Sequence, residues 1–427
     1  MRGSMTRLID WVDARLPVVE AFRKHMSQYY APKNFNIWYI FGVLSIVVLV
    51  NQLLTGIWLT MFYSPTDAFE SVQYIMRDVQ FGWLIRYMHA VGASAFFLVV
   101  YLHMFRALLY GSYKPPRELV WIFGMLIYVA LMAEGFLGYV LPWGNMSYWG
   151  AQVIISLVGA VPYELIPFIS AAESKEIGEA LVTWVRGDYL LSEATVNKFF
   201  ALHVVAIPIV LLALVVLHIL ALHEVGSNNP DGVEIKKNKD ENGVPKDGIP
   251  FHPYYTVKDT VGVVIFLMLF AVVVFFFPDG GGYLIEKPNF GPADPLATPD
   301  HIAPVWYYGP YYAMLRATTF DIFMSAKAWG VIIMGGAILI LFLLPWLDRN
   351  PVKSIRYKGW LSKVALMLLA ADFLMLGWLG TQPGSDLRKL MAQLGTFYYF
   401  GFFLVVLPFA YRFEKSKPVP ERVTGGH

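Results

Sequence analysis

Long apolar segments, separated by polar stretches, follow one another from residue 37 to residue 412. A helix needs about 20 apolar residues to cross the roughly 30 Å hydrocarbon core of a bilayer, and eight segments come near that length. We name them spans A to H: 37–62, 83–109, 120–141, 199–222, 258–278, 328–347, 361–380 and 395–412. The pattern predicts an all-α polytopic membrane protein with eight transmembrane helices.

The segment before span A, residues 1–36, is polar and amphipathic instead. Its larger apolar residues fall on one side of a helix: Trp11, Val12, Leu16, Val19 and Phe22. Because a helix with one apolar side lies well in the plane of a membrane interface, we predict a surface helix here.

Lysine and arginine are unevenly shared between two sets of connections. The N-terminal segment, the B–C, D–E and F–G loops and the C-terminal tail carry most of them. Since such residues collect on the cytoplasmic side, both termini are predicted to be cytoplasmic. Spans B and D then run parallel, from outside to inside.

Composition narrows the chemistry. The chain of 427 residues is 57% hydrophobic and 15% charged, and it has no cysteine. Disulfides, cysteine-ligated iron–sulfur clusters and thioether-linked haem are therefore excluded, which leaves histidine as the ligand for any haem iron. No basic patch indicates a nucleic-acid partner.

Spans B and D each carry two histidines in apolar surroundings, His89 and His103 in B, His203 and His218 in D. Fourteen residues of helix leave the rings of span B roughly 40° apart in azimuth and roughly 21 Å apart along the axis. The fifteen residues in span D give roughly 60° and roughly 22.5 Å. Each helix thus shows two imidazoles on one face. We call His89 with His203 the outer pair and His103 with His218 the inner pair.

A single histidine in an apolar helix is usually a hydrogen-bonded polar group. Four in two matching pairs favour a functional role, because polar groups are costly at membrane depth. Neutral imidazole is a common axial ligand of haem iron. The pattern predicts two non-covalent b-type haems stacked between spans B and D.

Spans A and C repeat the histidine spacing in glycine, with Gly42 and Gly56 in A and Gly124 and Gly138 in C. Small residues in membrane helices ordinarily mark tight helix packing. Because the spacing matches that of span B, we expect these glycines to leave room for the haem edges.

Two arginines flank the histidines of span B. Arg86 is three residues before His89, and Arg106 is three residues after His103. Each lies about one turn beyond its haem level, where a propionate would emerge. An ordinary interfacial arginine is the alternative.

Loops on both sides carry candidate substrate chemistry. Outside, the C–D loop contains LPWGNMSYWGAQVI, and the E–F connection contains the stiff aromatic segment APVWYYGPYYAMLR. Those aromatic residues suit an interfacial belt or a pocket for a flat apolar ring. Inside, the D–E loop offers His223 and Ser227, followed by Lys258 and Asp259 at the start of span E.

From about Asn34 to the end of span F, the chain closely resembles cytochrome b, the membrane subunit of the quinol:cytochrome c reductase, in a bacterial form. The resemblance rests on the four histidines, the four glycines and the motifs GYVLPWGNMSYWGA, LHEVGSNNP, IPFHPYYTVKD and PVWYYGPYYAMLR. It implies a di-haem four-helix bundle of spans A–D followed by a C-terminal helical part, spans E–H. The expected divisions are the surface segment, the bundle, a cytoplasmic loop, the quinol-site part and a cytoplasmic tail: 1–36, 37–222, 223–257, 258–412 and 413–427.

The resemblance also implies two substrate sites. The outer site, for quinol oxidation, comprises Tyr139, Met146, Gly150, Pro304, Trp306, Tyr307 and Tyr312. The inner site, for quinone reduction, comprises His223, Ser227, Lys258 and Asp259.

The implied activity is that of a catalytic subunit in the protonmotive quinone cycle of a respiratory chain. Quinol, with ubiquinol expected, is oxidised on the periplasmic side and gives one electron to a Rieske-type iron–sulfur protein. The other electron crosses the two haems and reduces quinone on the cytoplasmic side. A cytochrome c1-type subunit, a homodimer and the bacterial inner membrane are further implied partners and surroundings.

The chain departs from the family pattern at three places. The interval from His203 to His218 is one residue longer than in mitochondrial members, and the C–D loop is longer around residues 163–182. The family's Pro-Glu-Trp-Tyr reads Pro-Val-Trp-Tyr here, with Val305 in place of the glutamate thought to accept a quinol proton.

Quinol oxidation releases two protons, and Val305 cannot accept one. Glu134, four residues before Gly138, is the strongest substitute that the sequence offers, since it lies on nearly the same face of span C. It can instead serve only as a hydrogen-bond acceptor for a neighbouring helix. Glu173 and Glu176 in the longer C–D loop are further candidates.

Two other functions remain open at this point. A di-haem membrane anchor of another quinone-linked oxidoreductase would also carry paired histidines, but such anchors usually have four or five spans. A haem-free transporter with buried histidines would show no haem spectrum.

Overall fold

Helices make up most of the chain, as expected where every backbone polar group must be paired without water. The computed structural model describes residues 2–425, so Met1 and residues 426–427, at the ends of the predicted surface segment and tail, lie outside it. Seven predicted spans are long apolar helices: A is Ile37–Thr60, B is Gly82–Tyr110, C is Glu118–Val140, D is Glu193–Val225, E is Phe251–Phe276, G is Trp360–Gly380 and H is Asp386–Arg412. They confirm the all-α membrane class.

Span F is shorter than predicted. Its helix, Ala326–Phe342, has 17 residues and is followed by a separate turn of helix, Leu344–Leu347. A length of 17 residues is at the lower end of what crosses a bilayer, about 17–25 residues. The eighth transmembrane helix therefore stays a prediction.

Shorter elements lie in the connections. The helices are Arg2–Asp13, Val18–Phe22, Ala68–Arg77, Asn145–Val158, Ala171–Arg186 and Gly309–Ala317. Two three-residue strands, β1 (Tyr30–Pro32) and β2 (Gly248–Pro250), pair antiparallel, with Tyr30 opposite Pro250. This pairing ties the N-terminal segment to the end of the D–E loop.

The predicted single surface helix is wrong in one respect, because the N-terminal segment forms two helices. The first ends at Asp13 and the second begins after Pro17. Proline has no N–H to donate and disfavours helical backbone at the residue before it, so a continuous helix is interrupted there. Trp11 and Leu16 are exposed, as an interfacial apolar side requires.

Spans A–D form one bundle in which A packs along B and C packs along D. The helix Gly309–Ala317 contacts spans F, G and H and forms the centre of the second part. Backbones meet closely there, since a Cβ on Gly309 would overlap the carbonyl oxygen of Gly377, and a Cβ on Gly380 would overlap the carbonyl oxygen of Gly309. Small residues allow such contact where the membrane supplies no hydrophobic driving force.

Aromatic residues join the two parts. The ring of Phe97 in span B stacks on Tyr307, with centres 3.9 Å apart and planes 7° apart. The indole of Trp121 in span C donates to the carbonyl oxygen of Leu341 in span F at 2.7 Å. The first contact buries two aromatic rings, and the second gives the buried indole N–H a hydrogen-bond acceptor in a region without water.

The connections separate onto two ends, as the charge pattern predicted. Asp231 in the D–E loop accepts hydrogen bonds from Asn34, Arg356, Tyr357 and Thr424, which join the N-terminal segment, the F–G loop and the C-terminal tail. At the opposite end, the C–D and E–F loops pair, and an isolated bridge joins Gly144 to Pro292. Span F connects these two ends.

A buried ion cluster holds the F–G loop at the first end. Asp348 contacts the ammonium groups of Lys114 at 3.0 Å and Lys358 at 2.9 Å, and it accepts a hydrogen bond from the Tyr113 hydroxyl at 2.6 Å. Burial alone would raise the pKa of Asp348, but the two lysines hold it below the usual value. The carboxylate therefore stays charged, because two ammonium groups and a hydroxyl compensate for its burial.

We expect Asp348→Ala to destabilise the protein strongly. Removing one partner of a buried ion pair leaves unpaired charge and costs about 3–5 kcal/mol. The matched control is Asp386→Ala, whose exposed pair with Lys389 should contribute less than about 1 kcal/mol. Thermal unfolding of both purified variants, followed by tryptophan fluorescence, measures the difference. Equal midpoints would show that the Asp348 cluster does not hold the loop.

Candidate functional site

The structure brings each predicted histidine pair together between spans B and D. The ring centres of the outer pair are 6.2 Å apart with planes at 88°, and those of the inner pair are 6.3 Å apart with planes at 63°. Two metal–nitrogen bonds of about 2 Å, with roughly 1 Å from each nitrogen to its ring centre, span about 6 Å. Both gaps therefore fit one iron ion held by two imidazoles.

Hydrogen bonds to Nδ1 orient three of the four rings. Nδ1 of His89 lies 2.9 Å from the Thr55 hydroxyl, and Nδ1 of His218 lies 2.9 Å from the carbonyl oxygen of Val120. Nδ1 of His203 lies 3.1 Å from the carbonyl oxygen of Glu134. A partner on Nδ1 fixes the tautomer and leaves Nε2 free as a ligand, which is the usual arrangement around metal-bound histidine.

Each predicted glycine faces one of these rings. A Cβ atom would lie 3.3 Å from His103 if placed on Gly42 and 3.3 Å from His218 if placed on Gly124. For Gly56 and Gly138 the nearest atoms belong to His89 and His203, at 3.2 and 2.5 Å. The glycines thus give the imidazoles, and a group bound to them, a surface without side chains.

The longer histidine interval of span D has a local explanation. Leu202–Ala206, which includes His203, forms a π-turn, and Pro208 follows it. A π-turn accommodates one extra residue in a helix. Pro208 favours the π-turn for two reasons. It has no N–H to donate to the carbonyl oxygen four residues earlier, and in a regular α-helix its ring would collide with that carbonyl group. The extra residue is absorbed, and His203 keeps its face toward span B.

The two predicted propionate arginines lie beside the histidines. The Arg106 guanidinium is 4.8 Å from the centre of the Tyr39 ring and 3.5 Å from Nδ1 of His103. Its buried Nε has no hydrogen-bond partner among the described residues. An unpaired buried donor next to His103 suits an anionic group such as a haem propionate. Arg86 is partly buried on span B, one turn before His89.

The span C half of the outer site is built at the end of that helix. Gly150 faces the Tyr139 ring, since its Cβ would lie 3.5 Å from Cε1. Met146 is buried on the same short helix. The Ser147 hydroxyl donates to the carbonyl oxygen of Tyr139 at 2.6 Å and so fixes the turn between them.

The E–F half of the outer site lies opposite, on the aromatic motif. The indole N–H of Trp306 donates to the Ser94 hydroxyl at 3.1 Å, and the Tyr312 hydroxyl donates to the carbonyl oxygen of Ile302 at 3.2 Å. Tyr307 is buried against Phe97. Pro304 directly precedes this turn.

An acid that was not predicted joins the two halves. The Tyr139 hydroxyl donates to Oε2 of Glu286, in the E–F loop. Burial raises the pKa of Glu286 to about 7, although the hydrogen bond from Tyr139 opposes the shift. In the sequence, Glu286 is a single acid between Ile285 and a proline-containing turn. Nothing in that pattern indicates that Tyr139 is its hydrogen-bond partner.

The inner site is organised by another residue that was not predicted. The Tyr29 ring stacks on His223, with centres 4.6 Å apart and planes 14° apart, and its hydroxyl lies 3.1 Å from the Ser227 hydroxyl. Lys258 lies over the Tyr255 ring, with Nζ 5.6 Å from its centre. Phe251 contacts both tyrosine rings, so the aromatic residues connect the two halves of the site.

Asp259 follows Lys258 in the first turn after the π-turn of span E. Its carboxylate interacts electrostatically with Tyr255, whose hydroxyl donates to the carbonyl oxygen of Pro32 at 2.6 Å. Asp259 and Lys258 thus lie where span E meets the N-terminal segment.

The acids suggested for the outer site lie in different surroundings. Oε1 of Glu134 is 3.0 Å from Nδ1 of His203, so this carboxyl is at the level of the outer pair. Glu173 forms a capping box with Ser170 at the start of the helix Ala171–Arg186, and Glu176 is exposed on that helix. Their roles as proton acceptors stay predictions.

Comparisons with known proteins agree with this arrangement. Family models described as cytochrome b/b6/petB and cytochrome b(C-terminal)/b6/petD match residues 26–226 and 292–400. The chain is 55% identical over 430 residues to cytochrome b of Allochromatium vinosum, covering 99% of this chain and 100% of the relative. It is 46% identical over 420 residues to cytochrome b of Rhodospirillum rubrum, covering 98% and 96%. A solved structure titled hyperthermophilic respiratory Complex III superposes with a TM-score of 0.85 at 37% identity, covering 95% of this chain and 99% of the other.

We expect Gly138→Ala to disturb the outer haem level more than Gly124→Ala disturbs the inner one. The added Cβ would lie 2.5 Å from His203 in the first case and 3.3 Å from His218 in the second. Overpacking of the tighter contact costs about 1–3 kcal/mol and displaces the ring. The reduced-minus-oxidised spectrum and the haem midpoint potentials measure the effect.

Gly335→Ala in span F is the control, because a Cβ there meets nothing within 4 Å. Gly135 is unsuitable, since its Cβ would lie 2.8 Å from the Tyr308 hydroxyl. If Gly138→Ala and Gly335→Ala gave the same spectra and potentials, the glycine would have no special relation to His203.

Proposed function

Because the chain belongs to the cytochrome b family, we propose that it passes electrons across the membrane between two quinone sites, through two stacked haems, in the protonmotive quinone cycle. Membership makes it a membrane-embedded, b-type-haem-binding core subunit of a respiratory quinol:cytochrome c reductase, an oxidoreductase. The relatives reported above are cytochrome b proteins, which argues against a di-haem anchor of another oxidoreductase.

The observation that carries the proposal is the pair of imidazole gaps between spans B and D. Both have the width of an iron with two nitrogen ligands, and both are lined by glycine on spans A and C. His89 and His203 would hold one haem, and His103 and His218 the other. A bound haem supplies reversible one-electron chemistry to each level. The chain itself supplies the ligands, the orientation of their rings and the dry surroundings.

The outer site would bind quinol between the end of span C and the aromatic motif. Tyr139 and Tyr307 are polar groups within a largely apolar, aromatic wall, which suits a flat apolar ring with oxygen at its edge. The inner site would bind quinone near Tyr29. His223, Lys258 and Asp259 lie at that end and can deliver the two protons that a reduced quinone takes up.

The surroundings follow from the same proposal. The loops that share the inner-site end carry most of the lysine and arginine, which supports cytoplasmic termini in a bacterial inner membrane. The partners would be a Rieske-type iron–sulfur protein, a cytochrome c1-type subunit and a second copy of the complex, with ubiquinone as substrate.

Replacing single histidines tests the haem pairing. We expect His103→Leu and His218→Leu to remove the same spectral component, and His89→Leu to remove the other, because each haem needs both of its ligands. Redox titration of the purified wild type should show two midpoint potentials. A shared loss in His89→Leu and His103→Leu would contradict the pairing.

Asp259→Asn tests the inner site. We expect electrons to reach the inner haem at the wild-type rate but to leave it for quinone at least about 10-fold more slowly, since the amide cannot deliver a proton. Flash or stopped-flow kinetics at the haem α-band separate the two steps. Asp240→Asn, at an exposed turn residue of the D–E loop that precedes span E, is the control. Unchanged re-oxidation in Asp259→Asn would remove this residue from the mechanism.

A further inference from the structure

Glu286 lies in the outer site, although it is outside the motif that usually carries an acid there. Its carboxylate accepts the hydrogen bond of the Tyr139 hydroxyl. Val305, which occupies the glutamate position of that motif, is apolar and buried. We propose that Glu286 takes the proton that Val305 cannot accept, with Tyr139 as the relay. This inference rests on quinol oxidation at the outer site, as proposed above.

The E–F loop is fixed to the end of span C by Asn289, which follows Glu286 by one turn. The Asn289 side chain accepts from the backbone N–H of Ser147 at 2.8 Å and donates to the Ser147 hydroxyl at 3.0 Å. A side chain on Gly144 would overlap Asn289, so only glycine permits this approach. The loop therefore holds Glu286 against the same helix end that carries Tyr139.

The position of Glu286 also faces the aromatic motif. Burial and the negative charge of Glu286 both raise the pKa of Tyr307, which places the carboxylate close to the residue two positions after Val305. Glu286 is thus hydrogen-bonded to Tyr139 on one element and within electrostatic reach of Tyr307 on the other. Among the described residues, these two tyrosines are the titratable groups on the packed elements that interact with Glu286.

The proton transfer balances without any additional group. Oxidation of quinol to quinone breaks two O–H bonds and releases two electrons and two protons. One electron leaves with the first proton to the iron–sulfur partner, and the other electron leaves to the outer haem of the proposed function as the second O–H bond breaks. Its proton passes to the Tyr139 oxygen while the Tyr139 O–H proton passes to Glu286. Tyr139 ends unchanged and Glu286 ends neutral. Lys287 and Pro288, next in the chain, are exposed, so the proton can leave to the outer aqueous side.

The acid strength of Glu286 suits this task. A pKa of about 7, raised by burial, lets the carboxyl take a proton and release it again near neutral pH. Below that pH the carboxyl is already protonated and cannot accept, so quinol oxidation should slow. Above it the carboxylate is ready and the rate should level off.

The test replaces Glu286 by glutamine in the complete complex. We expect quinol oxidation to fall by about 100-fold, within the usual range for an acid–base group, and the rate limb near pH 7 to disappear. The haem spectra, both midpoint potentials and the KM for quinol should stay close to wild type. The control is Asp294→Asn in the same loop, whose exposed carboxylate accepts only the backbone N–H of Leu296 among the described residues.

Two further variants distinguish a proton-accepting role of Glu286 from a merely structural one. Glu286→Asp keeps the charge and should retain the pH limb at a reduced rate, even if the glutamine variant fails to assemble. Val305→Glu in the Glu286→Gln background should recover part of the rate, because it returns an acid to the other side of the pocket. An aspartate variant with wild-type haems but no rate and no pH limb would overturn the proposal.

The alternatives give different results. Glu286→Gln with wild-type rate and pH profile, together with a slow Glu134→Gln, would assign the role to Glu134 and overturn the proposal. A wild-type complex that has two haem potentials but oxidises no quinol would refute the outer site itself. If the wild-type complex oxidises quinol normally and Glu286→Gln has no effect on the rate, only the present inference is refuted.

Discussion

Four imidazole rings must each lie against a helix that offers no side chain at that point. His89 and His203 form one gap and His103 and His218 the other, and both gaps are close to 6 Å wide between ring centres. Spans A and C satisfy the requirement with glycine. This constraint fixes the register of the four helices, because a shift by one residue would bring a side chain into a ring.

The same constraint explains the irregularity of span D. Fifteen residues between its histidines do not match the fourteen of span B, so an unbroken helix would set its two rings roughly 60° apart in azimuth, against roughly 40° in span B. The π-turn at Leu202–Ala206 takes up the additional residue, and Pro208 makes it favourable locally. The additional residue of span D is therefore accommodated in the turn that carries His203, so the orientation of this ring toward span B is kept.

Features that follow from helical periodicity and charge could be predicted. The paired levels of the histidines, the opposing glycines and the division of loops between two ends all derive from spacing and topology. Contacts between distant loops could not. Tyr139 and Glu286 are separated by 147 positions, and no periodic pattern relates them. The stacking of Tyr29 on His223 likewise depends on how the N-terminal segment packs, which local propensity does not determine. The break at Pro17, in contrast, follows from proline itself.

Proton transfer depends on where an acid lies in space and on its pKa, and the chain position that supplies it is secondary. The Asn289–Ser147 contact makes the E–F loop as firm a support for a carboxylate as the aromatic motif is. Two carboxylates in one dry pocket would raise each other's pKa, so that only one could be charged. Valine at position 305 is then the expected companion of Glu286, since it keeps the pocket apolar and leaves a single acid to titrate near neutral pH.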